Sequence, residues 1–456
     1  MVQPEDYTSD NPPERIIGIE CEYNIQKSPD YSINDYISPL AITAAGLRYY
    51  GMFLSNGGGL YVDVGHLEYD TPECLGPRQA AAADMAGILV MQRIVEGSGF
   101  EHNGLYRITG SFKPSEITEK YSGSKTNGYH ENFQIPEAII YDPMIDQLMP
   151  AHLASRILAM NGMVRNRYVF SQKVWGIGGN PITRNIDRRT DHGNKPMAMI
   201  PPVDWDDTMG GNGWARLEVR HADAGLSPDA RYLSFAATSL VLRLVEHQDK
   251  FPKKHPIKKL QFRDPVHAAY LFAEDLTLRK TSETTDGKQL TAINAQEILA
   301  DAAFELGEMI ELPESEKRIP KIWGTVYQRL RESDPTEAEY GPLRARFDIA
   351  AKHPYLARRF DRDRLTASNV AAQQASLDWD KILPEGGGVR WFKEHKPALV
   401  DMQEVERLTK EAPLTRAARR AGMITDPSIA LRSMVWSAAT EKNERLTDMS
   451  DAYAYQ

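Results

Sequence analysis

The sequence predicts an α+β fold with a helical C-terminal part, and three observations carry that prediction. Runs that alternate apolar and polar residues, rich in β-branched and aromatic types, gather in the first half: RIIGIECEYNI, LYVDV, NGYHENFQI and WARLEVRHAD. From about residue 255 onward, apolar residues recur at helical spacing in one segment after another. Strands early and helices late are the signature of an α+β domain.

Residues 1–14, polar and acidic, read as a disordered lead. RIIGIECEYNI is the first strand, residues 38 to 54 a helix or helical hairpin, and LYVDV the second strand. Gly76-Pro77 then opens a helix in which Met85, Ile88, Met91 and Val95 share a face, and EGSG closes it. NGYHENFQI and WARLEVRHAD are the third and fourth strands. Ser227-Pro228 caps and starts ARYLSFAATSLVLRLVEH, apolar enough to lie buried against a sheet. INAQEILADAAFELGEMI, with Asn294 and Glu297 spaced like a capping box, QEVERLTKEA and SIALRSMVWSAATEKNE read as later helices. The boundaries implied are a lead at 1–14, a large domain at 15–365 and a small, mostly helical C-terminal domain at 366–456.

A net charge of −9 removes the basic footprint that nucleic-acid binding needs. The local basic clusters, RNIDRRTD and RLTKEAPLTRAARRAG, leave room for an acidic substrate, although the second reads first as a solvated helix face. Two cysteines outside any CxxC exclude a disulfide framework and a cysteine zinc site. No run approaches a membrane span and the N-terminus lacks a signal-peptide core, so a cytoplasmic protein with no membrane partner is expected.

Alternate residues of a strand share a face. Glu20 and Glu22 thus lie opposite Ile19, Cys21 and Tyr23; Tyr61 and Asp63 opposite Leu60, Val62 and Val64. His130 and Asn132 lie opposite Tyr129, Glu131 and Phe133, and Arg216, Glu218 and Arg220 opposite Leu217 and Val219. One wet strand face is ordinary in an antiparallel sheet. Four such faces made of Glu, Asp, His and Arg, rather than Lys, Thr and Ser, point elsewhere. Oxygen ligands with one imidazole suit Mg²⁺ or Mn²⁺, and guanidiniums beside them suit phosphate, so the sheet face fits a metal–nucleoside triphosphate. No G-x-x-x-x-G-K-[ST] and no G-x-S-x-G occurs, which excludes a P-loop enzyme and an α/β-hydrolase nucleophile elbow.

GIECEYNI, NGGGLYVDVGHLEYDTPEC and GYHENF resemble the enzymes of the pupylation system, the ligase that attaches the small protein Pup to lysines and its relative that deamidates or removes Pup. Family members carry G-(I/T)-E-x-E-(Y/F)-G, N-G-A-R-L-Y-(V/L)-D followed by H-P-E-Y, and Y-G-x-H-E-N-Y. RRTD at 188–191 and RYLSFAATSLVLRLVE are similar to further family segments, so the resemblance covers roughly residues 15–435. It implies a glutamine synthetase-like carboxylate–amine ligase fold: a curved antiparallel sheet cradling ATP and Mg²⁺, helices behind it, and a small C-terminal domain. It also implies metal-site roles for Glu20, Glu22, Glu68 and His130, and a catalytic role for Asp63. Tyr61 and Arg189 would stand at the nucleotide, with Arg216 and Arg220 as further nucleotide candidates. Glu218 stands where the family has a metal-binding histidine, a harder and more anionic ligand.

The sequence departs from the family at three other places. Gly59 stands where relatives carry an arginine, T-R-D-E-P-H-A-D has no counterpart, and only about thirty residues separate Tyr23 from Asn56, without the long loop of the deamidase branch. The activity implied is ATP-dependent amide or isopeptide formation through an acyl phosphate. Its partners would be a carboxylate substrate (a Pup-like protein, peptide or small molecule) and an amine acceptor. The rivals are amide hydrolysis on the same fold and a non-catalytic nucleotide-binding homologue.

Overall fold

The computed structural model describes residues 2–27, 47–48, 51–63, 66–97, 102–107, 127–164, 168–171, 184–188, 196–201, 212–332, 343, 346–363, 370–426, 428, 431–434, 438–441 and 446–448. One large sheet organises them. Its strands are β1 (Ile16–Lys27), β2 (Leu47–Arg48), β3 (Gly51–Phe53), β4 (Gly59–Asp63), β5 (His66–Asp70), β6 (Cys74–Leu75), β7 (His102–Tyr106) and β8 (Tyr129–Pro136). After the short pair β9 (Met163–Val164) and β10 (Tyr168–Val169), the sheet resumes with β11 (Arg184–Asp187), β12 (Pro196–Met199) and β13 (Trp214–Val219). The order across it is β11-β12-β13-β8-β1-β5-β4-β3-β2, with β6 and β7 also paired to β1. Only β11 and β12 run parallel. The architecture is therefore the expected α+β one, with a large, mostly antiparallel sheet.

The alternation read from the sequence sets the two faces. Ile17, Ile19, Cys21, Tyr23, Leu60, Leu67, Tyr69, Tyr129, Phe133, Leu217 and Val219 are each at most 2% exposed and form one core with the helices behind them. Burying each large apolar side chain contributes about 1.5–3 kcal/mol. Helix α1 (Gly76–Gly97) brings its small-residue run, Ala80 to Ala83, against this face. Helices α2 (Pro143–Ser155) and α3 (Pro228–Glu246) follow; α3 is buried along its whole length and capped by Ser227, whose hydroxyl accepts from the Ala230 N–H at 3.1 Å. The charges α3 carries inward are paired: Glu246 with Arg15 at 2.9 Å, and Arg243 with Glu316 at 3.3 Å. A buried charge without such a partner would cost several kcal/mol.

After α4 (Pro265–Glu274) and the pair β14 (Ser282–Glu283) and β15 (Gln289–Leu290), the chain is helical: α5 (Ala292–Met309), α6 (Ile319–Glu332), α7 (Asp348–Asp363), α8 (Val370–Asp380), α9 (Gly387–Glu394), α10 (Met402–Leu408) and α11 (Arg416–Thr425). Trp379, Val400 and Leu408 join the main core, and Lys352 on α7 is buried against Asp380 at 2.8 Å. A separate small cluster joins Phe53, Met423, Met434 and Ala439. Among the described residues, no helix is long and apolar enough to cross a membrane.

Several expectations are corrected. The N-terminal lead is packed rather than disordered: Pro4–Thr8 forms a 3-10 turn whose Tyr7 ring is fully buried, with the Arg15 and Arg243 guanidiniums each 4.7 Å from its centre. The described part of the 38–54 helix is strand instead, β2 paired with β3, because pairing onto β4 overrides a weak helical pattern. The described parts of SIALRSMVWSAATEKNE are strand as well: β16 (Leu431–Met434) pairs with β17 (Ala438–Glu441), and β17 with β18 (Leu446–Asp448). There Met434 gains burial against Phe53 and Met423, which propensity cannot anticipate.

The capping box of α5 lies three residues earlier than expected, between Thr291 and Asn294. The Thr291 hydroxyl accepts from the Asn294 N–H at 3.1 Å. Thr291→Ala should therefore cost about 1 kcal/mol of stability, measurable by urea unfolding, and a variant of unchanged midpoint would remove the cap's contribution.

Candidate active site

The site face of the sheet is built by register. Glu20 stands opposite Asp70 on β5 and His130 on β8, Glu22 opposite Glu68, Tyr61 opposite Glu68, and Asn132 opposite Glu218. Period-2 alternation on five strands thus delivers Arg216 and Glu218 (β13), His130 and Asn132 (β8), Glu20 and Glu22 (β1), His66, Glu68 and Asp70 (β5) and Tyr61 (β4) to one face. Asp63 ends β4 in register with His66. Arg189 lies outside the described residues. Arg220 immediately follows β13.

Glu20 is the centre. Its carboxylate accepts from His130 Nδ1 at 2.9 Å, Asn132 Nδ2 at 3.0 Å and an Arg216 guanidinium nitrogen at 3.3 Å. Burial alone would raise its pKa, but His130, Arg216 and Arg220 together hold it down at about 2. Glu218 lies 3.5 Å from His130 Nδ1, accepts from Arg220 Nε at 2.5 Å and stands 3.4 Å from Arg216. Ligand atoms of Glu20, His130 and Glu218 all fall within 4.8 Å of one another.

On the other flank the carboxylates crowd. Burial first, and then the charges of Asp70, Glu20 and Glu22, push Glu68 well above the usual carboxylate range. Burial and the neighbouring Asp70 and Glu68 likewise raise the Tyr61 phenol, which donates to Asp70 Oδ1 at 3.3 Å. Glu22 differs: burial is outweighed by the His66 imidazole, Nδ1 to Oε2 at 2.7 Å, so its carboxyl is held low.

Buried oxygen ligands forced together, with one imidazole among them, match the donor set of a divalent metal. The residues present fit Mg²⁺ or Mn²⁺, because a cation here would relieve the repulsion that pushes the Glu68 carboxyl up.

Of the residues predicted from sequence, the structure gathers Glu20, Glu22, Glu68, His130, Glu218, Tyr61 and Arg216 on one face and Arg220 beside them. Two neighbours were missed. Asp70 and His66 flank Glu68 on the same strand, 6% exposed each, and the i, i+2 rule applied to HLEYD would have found both. Glu73 is buried and belongs to a different construction. It accepts from Arg416 Nε at 2.6 Å and from Arg420 at 3.0 Å. Within the basic cluster, Arg416 and Arg420 thus face a buried carboxylate rather than water, both at most 1% exposed, while Lys410 and Arg419 are exposed.

Comparison with known proteins bears on the family and the fold. The chain is 28% identical to the Pup--protein ligase of Acidimicrobium ferrooxidans over 435 residues, covering 90% of this chain and 88% of that protein. It is 27% identical to the Pup deamidase/depupylase of Mycolicibacterium smegmatis over 302 residues, 63% of this chain but only 54% of that protein. Among solved structures, the complex of the prokaryotic ubiquitin-like protein Pup with its ligase PafA superposes with a TM-score of 0.78 at 18% identity, covering 97% of this chain and 90% of that one. PafA in complex with ADP gives 0.72 at 17% identity, with 95% and 92% covered. At those identities the structures speak for the fold. The family described as Pup-ligase protein matches residues 3–440, and the chain belongs to that family.

Proposed function

We propose that this chain is an ATP-dependent ligase that joins a carboxylate of a Pup-like protein to an amine of a target, forming an isopeptide bond through an acyl phosphate. The observation that carries the reading is the carboxylate row of half-buried Glu20 and Glu22 and buried Glu68 and Asp70, with arginines at one end. A face this anionic needs a cation, and the arginines suit the phosphates that accompany one.

Glu20, His130 and Glu218 would hold one part of the metal–nucleotide complex, and Glu22 and Glu68 another. Mg²⁺, when bound, neutralises the charge on the triphosphate oxygens. Arg216, Arg220 and Arg189 bind and orient the phosphates, and Tyr61 lines the nucleotide side. The substrate carboxylate attacks the γ-phosphoryl group and ADP leaves. The amine then attacks the acyl carbon, Asp63 takes the proton from its nitrogen, and phosphate departs. The catalytic part is assigned to residues 15–365 and a smaller C-terminal part to 366–456, and the enzyme to the cytoplasm, where ATP is available.

Incubation with ATP, Mg²⁺, a Pup-like protein and a lysine-bearing target should release ADP and raise the target's mass by that of the Pup-like protein less one water. Hydrolysis on the same fold would cleave an amide without stoichiometric ATP turnover. The ligase direction is favoured because the match spans 88% of the ligase relative and only about half of the depupylase. Glu20→Gln, which removes the charge that three neighbours hold in place, should weaken Mg–ATP binding by about 10- to 100-fold in calorimetry. Unchanged affinity would take Glu20 out of the metal set.

A further inference from the structure

Behind the site face, one guanidinium reaches three elements. Arg156, which directly follows the last residue of α2, is buried. Its Nη1 donates to Glu131 Oε2 at 2.6 Å and to the Ser234 and Thr238 hydroxyls of α3, both at 3.2 Å. Its Nη2 donates to the His221 carbonyl at 2.7 Å. Glu131 is fully buried, and its Oε1 accepts from the Ser234 hydroxyl at 3.2 Å. On β8 it stands between His130 and Asn132, so its side chain points into the core while theirs reach the site. His221 directly follows Arg220. The two arms of one fork thus hold the back of β8 at the level of His130 and the chain immediately beyond Arg220.

Arg220 needs such a hold. The ladder between β8 and β13 sets Arg216 against Gln134 and Glu218 against Asn132, and ends with Val219 against Glu131. At Arg220 the chain turns toward β12, where the Arg220 and His221 N–H groups both donate to the Met197 carbonyl, at 2.8 and 2.9 Å. Beyond the ladder, the bridge from this turn back to β8 runs through Arg156. In front of the sheet, Glu218 lies 3.5 Å from His130 Nδ1 and accepts from Arg220 Nε, so the cluster depends on how far apart β8 and this turn are held. Stability alone does not account for a buried ion pair, since apolar side chains of similar volume often serve as well or better. What apolar packing lacks is direction. A planar fork on two acceptors fixes their separation.

We infer that Arg156 and Glu131 are positioning residues for the phosphate end of the site: from behind the sheet they set Arg220 against His130 and Asn132, and they touch neither metal nor nucleotide. This rests on the ligase reading above, in which Arg220 orients the phosphates.

Replacing the pair by apolar side chains separates geometry from stability. In Glu131→Met/Arg156→Met the urea midpoint should fall by no more than about 0.5 M. The Kd for a non-hydrolysable ATP analogue with Mg²⁺ should meanwhile rise about 10- to 100-fold in calorimetry. Arg220→Gln should weaken the same binding about 10-fold in wild type but less than about 3-fold in the double variant, because an arginine already displaced has little left to lose. A double variant that binds as wild type does, or full additivity with Arg220→Gln, overturns the inference. If the double variant does not fold, Arg156→Lys decides. A point charge cannot serve both acceptors, so Kd should rise at least about 10-fold in that folded variant. An unchanged Kd there, or loss of the fold, makes the pair purely structural and overturns the inference. A wild-type protein that binds no Mg–ATP would sink the ligase reading and the Arg156 role with it, whereas normal wild-type conjugation beside an unaffected double variant sinks the Arg156 role alone.

Discussion

Asp63→Asn should lower isopeptide formation by about 10²–10⁴-fold while leaving nucleotide binding unchanged. Asparagine keeps the size and planarity of the side chain but cannot take a proton. No neighbour is free to replace it. Glu20 and Glu22 are ionised but held by His130, Asn132, Arg216 and His66, while Glu68 is pushed by burial and crowding toward its protonated form. The register sets the Asp63 position against His66, at this end of the face. Single-turnover conjugation, run beside calorimetric titration with a non-hydrolysable ATP analogue, checks both halves of the expectation. Wild-type conjugation rates in the asparagine variant would remove the assignment of Asp63 as base.

The second large effect concerns stability. Glu73 is 3% exposed and lies between Arg416 and Arg420, which are themselves buried, and Arg420 also donates to the Gly57 carbonyl at 3.0 Å. Gly57, at φ +79, allows this docking, because a Cβ there would meet the Ala417 carbonyl oxygen at 2.7 Å. Glu73→Gln leaves two guanidiniums buried without their counter-charge and should cost about 3–5 kcal/mol.

The pH dependence has a definite sign. Burial alone would raise the Glu73 carboxyl, but Arg420 and Arg416 outweigh it and hold the pKa at about 2, against an ordinary value of 4.5. The unfolded chain therefore binds the proton first as pH falls, so this stabilisation is fully present above about pH 4.5 and drains away toward pH 2. Urea unfolding at pH 7 and at several points below 4.5 should show the difference between wild type and variant narrowing as the solution is acidified. A constant difference across that range would show that the ion pair is not its origin.

The site was legible in the sequence wherever a strand carried clean alternation. Glu20, Glu22, His130, Arg216 and Glu218 were placed on one face by period 2 alone, and register then joined them across β1, β8 and β13. His66 and Asp70 share the Glu68 face by the same alternation, but HLEYD is buried on both faces, which the sequence does not announce. The arginines of α11 escaped for a different reason. Their partner, Glu73, is 343 and 347 residues away in the chain, and a basic helix face looks the same whether it meets water or a buried carboxylate. The C-terminal strands were hidden likewise, since their burial depends on Phe53, far upstream.

The register of β1 also decides when in folding the site can exist. Glu20 meets Asp70 and His130 across its strand's two neighbours, and Glu218 reaches the cluster only through β8, so the ligand set closes across about two hundred residues of sequence. Loops of that length must close before any of these contacts rewards them, which makes sheet completion a late event. A partly folded chain then holds its carboxylates dispersed and has no nucleotide site at all. ATP with its metal would bind only the finished sheet and stabilise it by mass action, by about 2.7 kcal/mol at a hundredfold excess over Kd. The nucleotide is in this sense a check on the fold before it is a reactant.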